Sequence, residues 1–189
     1  ISFNNFKLRH ICVFSIKKLM KSKKNVILIG MMGAGKSTIG RLISKKYNLK
    51  FVDIDKLIEN ETKMKISDLF EKKGEIFFRN LEEKTTLKVL NFKDTVVSLG
   101  GGGFINEKIR LEILKNHFSF WLKWNNKTLI NRIKLSKKRP LAFNLSDNEL
   151  NKLIKKRSKI YSKAIFKIYC QNLKKHEIVK KITDIYEAN

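Results

Sequence analysis

One stretch constrains this chain more than any other, the glycine-rich segment GMMGAGKST at residues 30–38. It follows the apolar run Val26-Ile27-Leu28-Ile29 and precedes a segment with the apolar spacing of a helix. Glycines at these positions let backbone N–H groups turn inward around phosphate oxygens, and the following helix adds its positive end. The segment is therefore predicted to be a phosphate-binding loop. A glycine-rich turn that binds nothing is the alternative.

The side chains of this loop have the chemistry that a nucleoside triphosphate needs. Lys36 would reach the β- and γ-phosphates as a compact charge, and the Ser37 hydroxyl would ligate the magnesium ion that accompanies ATP. The ATP-binding residues predicted in the loop are Gly33, Ala34, Gly35, Lys36, Ser37 and Thr38.

Length and composition indicate one globular domain. The chain has 189 residues, of which 42% are hydrophobic and 31% charged, and no apolar run is long enough to cross a bilayer. Cys12 and Cys170 form no ligand or disulfide pattern. We therefore expect two reduced thiols in a cytoplasmic protein that does not bind a membrane.

The formal net charge of +25 would ordinarily suggest nucleic acid as a partner. However, the lysines are spread along almost every segment instead of clustering with aromatic residues. We expect no specific nucleic acid partner, only weak and salt-dependent binding to polyanions. Only seven of the 42 cationic residues are arginines. A chain that uses Lys for general charge can reserve Arg for sites that need a planar, bidentate fork.

Residues 1–24 have no clear place in a nucleotide-binding α/β unit. We interpret them as a basic N-terminal extension outside the core, with the domain at residues 25–189. A targeting peptide is a weaker alternative, because the apolar part is short and no small-residue cleavage site follows. Met20, just ahead of the first strand, could also be the true initiator.

Apolar runs and helical segments alternate along the rest of the domain. After the first strand, the pattern predicts strands ending near Asp53, Leu99, Leu122 and Cys170. Five apolar strands alternating with helices indicate a parallel sheet covered on both faces, with ligands beyond the carboxyl ends of the strands. A helix is predicted from Gly74 to about Leu90, with an apolar face formed by Ile76, Phe77, Leu81, Leu87 and Leu90. Residues 135–146 contain the only proline and are predicted to be a mobile loop.

Two further features fall at the same edge of the sheet. Asp53 and Asp55 follow the second strand, and their period-two spacing would put both carboxylates on one face at the strand end. They could serve a metal and a substrate, or merely cap the next helix. Gly100 to Gly103 follow the third strand, either as a close backbone approach to a ligand or as a flexible turn.

With these motifs the chain resembles the shikimate kinase family from Asn25 to the C-terminus. Besides the loop and Asp53-x-Asp55, the resemblance lies in Gly74-Glu75-x-x-Phe78-Arg79, Leu99-Gly100-Gly101-Gly102 and Arg139-Pro140-Leu141. It implies a three-layer α/β P-loop kinase fold, similar to nucleoside-monophosphate kinases, with a five-stranded parallel sheet in the order 2-3-1-4-5 and a mobile lid. It also implies ATP-dependent phosphorylation of the 3-hydroxyl of shikimate, giving shikimate 3-phosphate and ADP in aromatic amino-acid biosynthesis.

The resemblance also assigns roles to single residues. Ser37 and Asp53 would support Mg²⁺, whereas Asp55 would hold the substrate hydroxyls and accept the proton of the attacking one. Arg79 and Arg157 would bind the shikimate carboxylate, and the backbone of Gly100, Gly101 and Gly102 the ring hydroxyls. Arg132 would lie against adenine. Arg139 would close over the phosphates as a lid arginine and act with Lys36 and Asp55 in catalysis. Arg79 and Arg157 could otherwise be solvated helix residues.

Three alternatives stay open at this stage. Two are a gluconate kinase or an adenylate kinase of the same architecture, and the third is a catalytically silent relative that binds nucleotide as an interaction module. The chain departs from the family pattern at one point: the Pro-Leu that usually precedes the tyrosine is absent before Tyr161. The packing around Tyr161 is therefore an open question. We expect a monomer whose partners are shikimate and ATP.

Overall fold

The computed structural model describes residues 24–135 and 145–189. Its strands are β1 (Val26–Ile29), β2 (Lys50–Asp53), β3 (Thr95–Ser98), β4 (Phe118–Lys123) and β5 (Phe166–Tyr169). Its helices are α1 (Lys36–Tyr47), α2 (Ile54–Thr62), α3 (Ile66–Leu90), α4 (Glu107–Asn116), α5 (Asn126–Lys134), α6 (Asp147–Tyr161) and α7 (Lys175–Glu187), with a 3₁₀ turn at Gly103–Ile105. Within the described ranges, no helix is both long and apolar enough to span a membrane.

The five strands form one parallel sheet in the order β2-β3-β1-β4-β5. This confirms the α/β fold and the strand order that the sequence predicted. The central strands β1 and β3 are buried along their whole length, because helices cover both faces of the sheet. Their residues therefore form continuous apolar runs instead of an alternating pattern.

The register of the sheet brings the three motif-bearing strand ends to one edge. Ser98, the last residue of β3, pairs with Leu28 of β1 on one side and with Asp53 of β2 on the other. The phosphate loop, the glycine run and the paired acids consequently begin at the same level. The fold thus positions them as neighbours before any side-chain contact is considered.

The paired acids do not share a strand face as predicted. The helix α2 begins at Ile54, immediately after β2, so Asp55 lies in the first turn of a helix. Asp53 is the N-cap, and its Oδ1 accepts a hydrogen bond from the Lys56 N–H at 3.3 Å. The period-two argument was wrong because this cap starts the helix with no intervening loop.

Helix α3 differs from its prediction in two ways. It extends from Ile66 to Leu90 with one non-helical residue, Gly74, whose φ of 82° and ψ of 167° mark a kink where we predicted a helix start. Ile76 and Phe77 are exposed, at 80% and 45%, so these two do not lie on the buried face as predicted, whereas Leu81 and Leu87 pack against the core and Leu90 is buried. The buried face instead follows Phe78 and Glu82, because polar residues occupy several of its positions.

His117, at the end of α4, provides a test of the packing around β4. The ring is buried, and neither of its nitrogens has a hydrogen-bond partner in the described part of the chain. Burial lowers the pKa of His117, Glu112 opposes this shift from 4.0 Å, and Lys24 adds to it. The folded state therefore binds this proton less readily than the unfolded state, and folding stability is expected to fall as pH drops below about 6.5.

Thermal unfolding between pH 8 and pH 5 measures this effect. We expect the melting temperature of the wild type to fall more steeply than that of a His117→Leu variant, while His176→Leu, at an exposed histidine, keeps the wild-type slope. Parallel slopes for the wild type and His117→Leu would show that His117 does not carry the effect.

Candidate active site

The phosphate loop connects β1 to α1 and is already closed around its lysine. Gly33 and Gly35 have φ values of 79° and 86°, which favour glycine. Lys36 is buried, and its Nζ donates to the carbonyl oxygens of Gly30 at 2.7 Å and Met31 at 3.0 Å. The first turn of α1 contains no acidic residue. The loop therefore offers a positive, preformed cradle for an anion.

Ser37 and Asp53 bring two oxygen ligands together beside the loop. The Ser37 hydroxyl donates to Asp53 Oδ2, while the other carboxylate oxygen caps α2. Asp53 thus caps α2, which is one of the roles that the sequence left open, and its second oxygen contacts Ser37. Within residues 24–135 and 145–189, no three His, Cys, Asp or Glu side chains form a metal-binding group. This donor set fits Mg²⁺, which binds few protein oxygens and takes its remaining ligands from phosphates and water.

The glycine run after β3 is the meeting point of the predicted substrate residues. A Cβ atom added at Gly100 would lie 2.5 Å from Asp55 Oδ1, and one at Gly102 would collide with the Arg79 guanidinium. One at Gly101 would lie 3.3 Å from Arg157 Nη1. Side chains from α2, α3 and α6 therefore approach one short stretch of backbone. Only glycine leaves room for these groups and for a ligand between them.

Arg79 is held by a buried carboxylate that the sequence analysis did not identify. Its Nη1 lies 2.7 Å from Oε2 of Glu82, whose side chain is only 3% exposed. Burial raises the pKa of Glu82, and Arg79 opposes that shift. Burial would lower the pKa of Arg79, but Glu82 and Glu75 outweigh it and leave the pKa raised. The i, i+3 spacing of Arg79 and Glu82 on a helix was the signal that could have revealed the pair.

Arg157 reaches the glycine run from α6, on a different element from Arg79. Its Nη1 lies 3.8 Å from the sulfur of Met31, in the phosphate loop. One turn further along, Tyr161 is buried and its hydroxyl donates to the Gly101 carbonyl. The packing questioned by the missing Pro-Leu is therefore well formed. The guanidinium groups of Arg79 and Arg157 thus lie beside the neighbouring residues Gly102 and Gly101.

Helix α5 lies against the phosphate loop at Gly33. The Arg132 guanidinium lies 3.7 Å above the ring centre of Trp124, and its Nη1 lies 3.5 Å from the Gly33 carbonyl. Trp124 was not among the predicted site residues. Arg139 and the rest of the predicted lid at residues 136–144 lie outside the described residues.

The arrangement places an anion cradle beside an acceptor pocket. The glycine run contacts the phosphate loop, since a Cβ at Gly101 would lie 3.6 Å from the Met32 nitrogen. On one side are Lys36 and the Ser37–Asp53 pair; on the other are Asp55 and the two arginines. Such a site can transfer a phosphoryl group to the hydroxyl of an anionic acceptor.

The family profile and the similar proteins found by comparison agree on one family. The profile of the family described as shikimate kinase matches residues 32–187. A shikimate kinase from Sulfurihydrogenibium sp. (strain YO3AOP1) is 40% identical over 159 residues, covering 84% of this chain and 95% of that protein. One from Bacillus subtilis (strain 168) is 39% identical over 168 residues, covering 86% and 88%.

Solved structures agree with the sequence comparison. A shikimate kinase from Acinetobacter baumannii in complex with shikimate superimposes with a TM-score of 0.85 at 28% identity, over 92% of this chain and 98% of that one. A gluconokinase from Sinorhizobium meliloti 1021 has a TM-score of 0.56 at 13% identity, over 88% and 92% of the two chains. The second likeness shows the fold alone.

Proposed function

The chain belongs to the shikimate kinase family, and we propose how its residues carry out ATP-dependent phosphorylation of the shikimate 3-hydroxyl. One observation carries the proposal. Asp55, Arg79 and Arg157 come from three helices to a single glycine run that touches the phosphate loop. Shikimate has a carboxylate and three ring hydroxyls, so it needs guanidinium groups at one end and acceptors with backbone donors at the other.

The phosphate loop binds ATP in this proposal. The backbone N–H groups of Gly33 and of Gly35 to Thr38 surround the phosphates, whereas that of Ala34 donates to the Met31 carbonyl; Lys36 neutralises the phosphate charge. Ser37 and Asp53 would hold Mg²⁺, which would help to neutralise the negative charge of the phosphates. Arg132 lies against the adenine. Arg139, which lies outside the described residues, is proposed to neutralise charge on the transferring phosphoryl group.

The acceptor pocket binds shikimate and positions its 3-hydroxyl. Arg79 and Arg157 form charge-assisted hydrogen bonds to the carboxylate, and Glu82 keeps the Arg79 fork in place. The backbone of Gly100, Gly101 and Gly102 approaches the ring hydroxyls. Asp55 orients the 3-hydroxyl and accepts its proton as the bond to phosphorus forms. Catalysis is then mostly positioning and charge neutralisation.

The alternatives are weaker on the same observations. An adenylate kinase is disfavoured by the combination of Asp53-x-Asp55, Phe78-Arg79 and the glycine run, and its phosphate acceptor needs no general base such as Asp55. A gluconate kinase would share the carboxylate but takes a flexible, open-chain acceptor, and the gluconokinase likeness extends to the fold alone. A silent relative has no need for the intact set of Lys36, Ser37, Asp53 and Asp55.

Replacing Arg79 or Arg157 with Lys tests the carboxylate site. Each change keeps the charge but removes the planar fork, which should cost about 1–3 kcal/mol of shikimate binding. The KM for shikimate is therefore expected to rise roughly tenfold to a hundredfold, with little change in the KM for ATP. Initial rates at varied concentrations of each substrate give both constants.

Arg41→Lys is the matched control, because Arg41 is exposed on α1 and contacts the Phe51 ring instead of the pocket. Its KM for shikimate should equal that of the wild type. If Arg79→Lys and Arg157→Lys raised only the KM for ATP, a different acceptor would be the better interpretation.

The remaining proposals concern the setting of the enzyme. We propose that it acts as a monomer in the cytoplasm, with no nucleic acid partner and with residues 1–24 outside the catalytic core. The reduced, buried Cys170 and the scattered lysines support this interpretation.

If residues 1–24 lie outside the catalytic core, a chain beginning at Met20 should retain the activity of the full chain.

A further inference from the structure

We propose that Trp124 is a positioning residue of the nucleotide site, where its indole ring holds both the phosphate loop and Arg132. The inference rests on the ATP site proposed above and adds to it a residue that no motif identifies. Trp124 comes directly after β4 and is half-buried between the loop and α5.

The first contact fixes one peptide group of the loop. Trp124 Nε1 donates a hydrogen bond of 3.0 Å to the carbonyl oxygen of Ala34. The described part of the chain has no cis peptide bond. In a trans peptide, the C=O of one residue and the N–H of the next point in opposite directions. Holding the Ala34 carbonyl toward Trp124 therefore turns the Gly35 N–H to the opposite side, into the phosphate cradle.

The second contact fixes the direction of Arg132. Its guanidinium lies 3.7 Å above the ring centre of Trp124, close enough for cation–π stacking. The same guanidinium is 3.5 Å from the carbonyl oxygen of Gly33. The carbonyls of Gly33 and Ala34, two successive loop residues, thus contact Arg132 and Trp124, and Arg132 lies between the indole ring and the loop.

Tryptophan is suited to this position because it combines a large flat face with a donor at the ring edge. Phenylalanine would keep a face for Arg132 but leave the Ala34 carbonyl without its donor. The other tryptophan, Trp121, is buried in β4 and packs against Tyr161. The two tryptophans can therefore be tested separately.

The decisive measurement is calorimetric titration with ADP in the absence of any acceptor. We compare the wild type with Trp124→Phe and with a protein carrying β-(3-benzothienyl)alanine at position 124, which replaces the indole N–H by sulfur and keeps the bicyclic shape. The loss of one hydrogen bond should weaken ADP binding about threefold to tenfold in both proteins. Shikimate affinity should change less than about twofold. If Trp124→Phe folds poorly, the comparison of ADP affinities rests on the benzothienyl protein.

Fluorescence gives an independent result. In a Trp121→Phe background Trp124 is the only tryptophan, and its emission should change on addition of ADP. Unchanged ADP affinity in the benzothienyl protein would overturn the proposal, as would equal losses of ADP and shikimate affinity. If the wild type itself bound no ADP, the proposed ATP site would fail, which is a distinct outcome.

Discussion

Lys36→Ala is expected to abolish nearly all turnover while the fold survives. Lys36 is buried inside the phosphate loop with its ammonium group on two loop carbonyls, so the variant loses a cation that the loop backbone encloses. Removing such a group from a preorganised phosphoryl-transfer site should lower kcat on the order of a hundredfold to a thousandfold. Steady-state rates, with circular dichroism to check folding, measure the effect.

The control is Lys45→Ala, a change of the same kind in the last turn of the same helix. Lys45 is exposed and remote from the loop, so the turnover rate of Lys45→Ala should equal that of the wild type. Near-normal turnover in Lys36→Ala would contradict the assignment of this loop to ATP.

Asp55→Asn should lower kcat far more than it weakens ATP binding. The amide keeps the size of the carboxylate and its place beside Gly100 but cannot accept the proton of the attacking hydroxyl. General-base catalysis of this kind contributes about a hundredfold to ten-thousandfold. Pre-steady-state rates together with ATP affinity separate the chemical step from binding.

Asp68→Asn is the matched control, since Asp68 also lies in the first turn of its helix but has Ser67 as its contact. It should leave kcat unchanged. Comparable losses of ATP affinity and kcat in Asp55→Asn would place Asp55 on the metal instead of on the substrate hydroxyl.

The sequence predicted the sheet and the phosphate loop because their signals are local. Continuous apolar runs identify buried parallel strands, and the glycines with Lys36 and Ser37 identify the loop between β1 and α1. The helical position of Asp55 was missed because it depends on the Asp53 cap, which a strand pattern does not reveal. Ile76 and Phe77 were wrongly placed on the buried face of α3, because polar residues such as Glu82 occupy several of its buried positions.

The remaining site residues depend on tertiary contacts. A glutamate on a helix is usually solvated, and Glu82 is buried only because Arg79 and the glycine run enclose it. Trp124 is 90 residues away from Ala34 in sequence, so no local pattern could predict its hydrogen bond to the loop. By contrast, the scarcity of arginine in a lysine-rich chain drew attention to Arg79 and Arg157, which do lie beside the glycine run; their binding of a carboxylate stays a prediction.

ADP release coupled to a spectroscopic signal, measured with ATP and Mg²⁺ and with shikimate or gluconate as acceptor, tests the central claim most directly. We predict rapid, saturable ADP release with shikimate, a product phosphorylated at the 3-hydroxyl by NMR, and only background release with gluconate or with no acceptor. Shikimate-independent hydrolysis alone, or faster release with gluconate than with shikimate, would contradict the account.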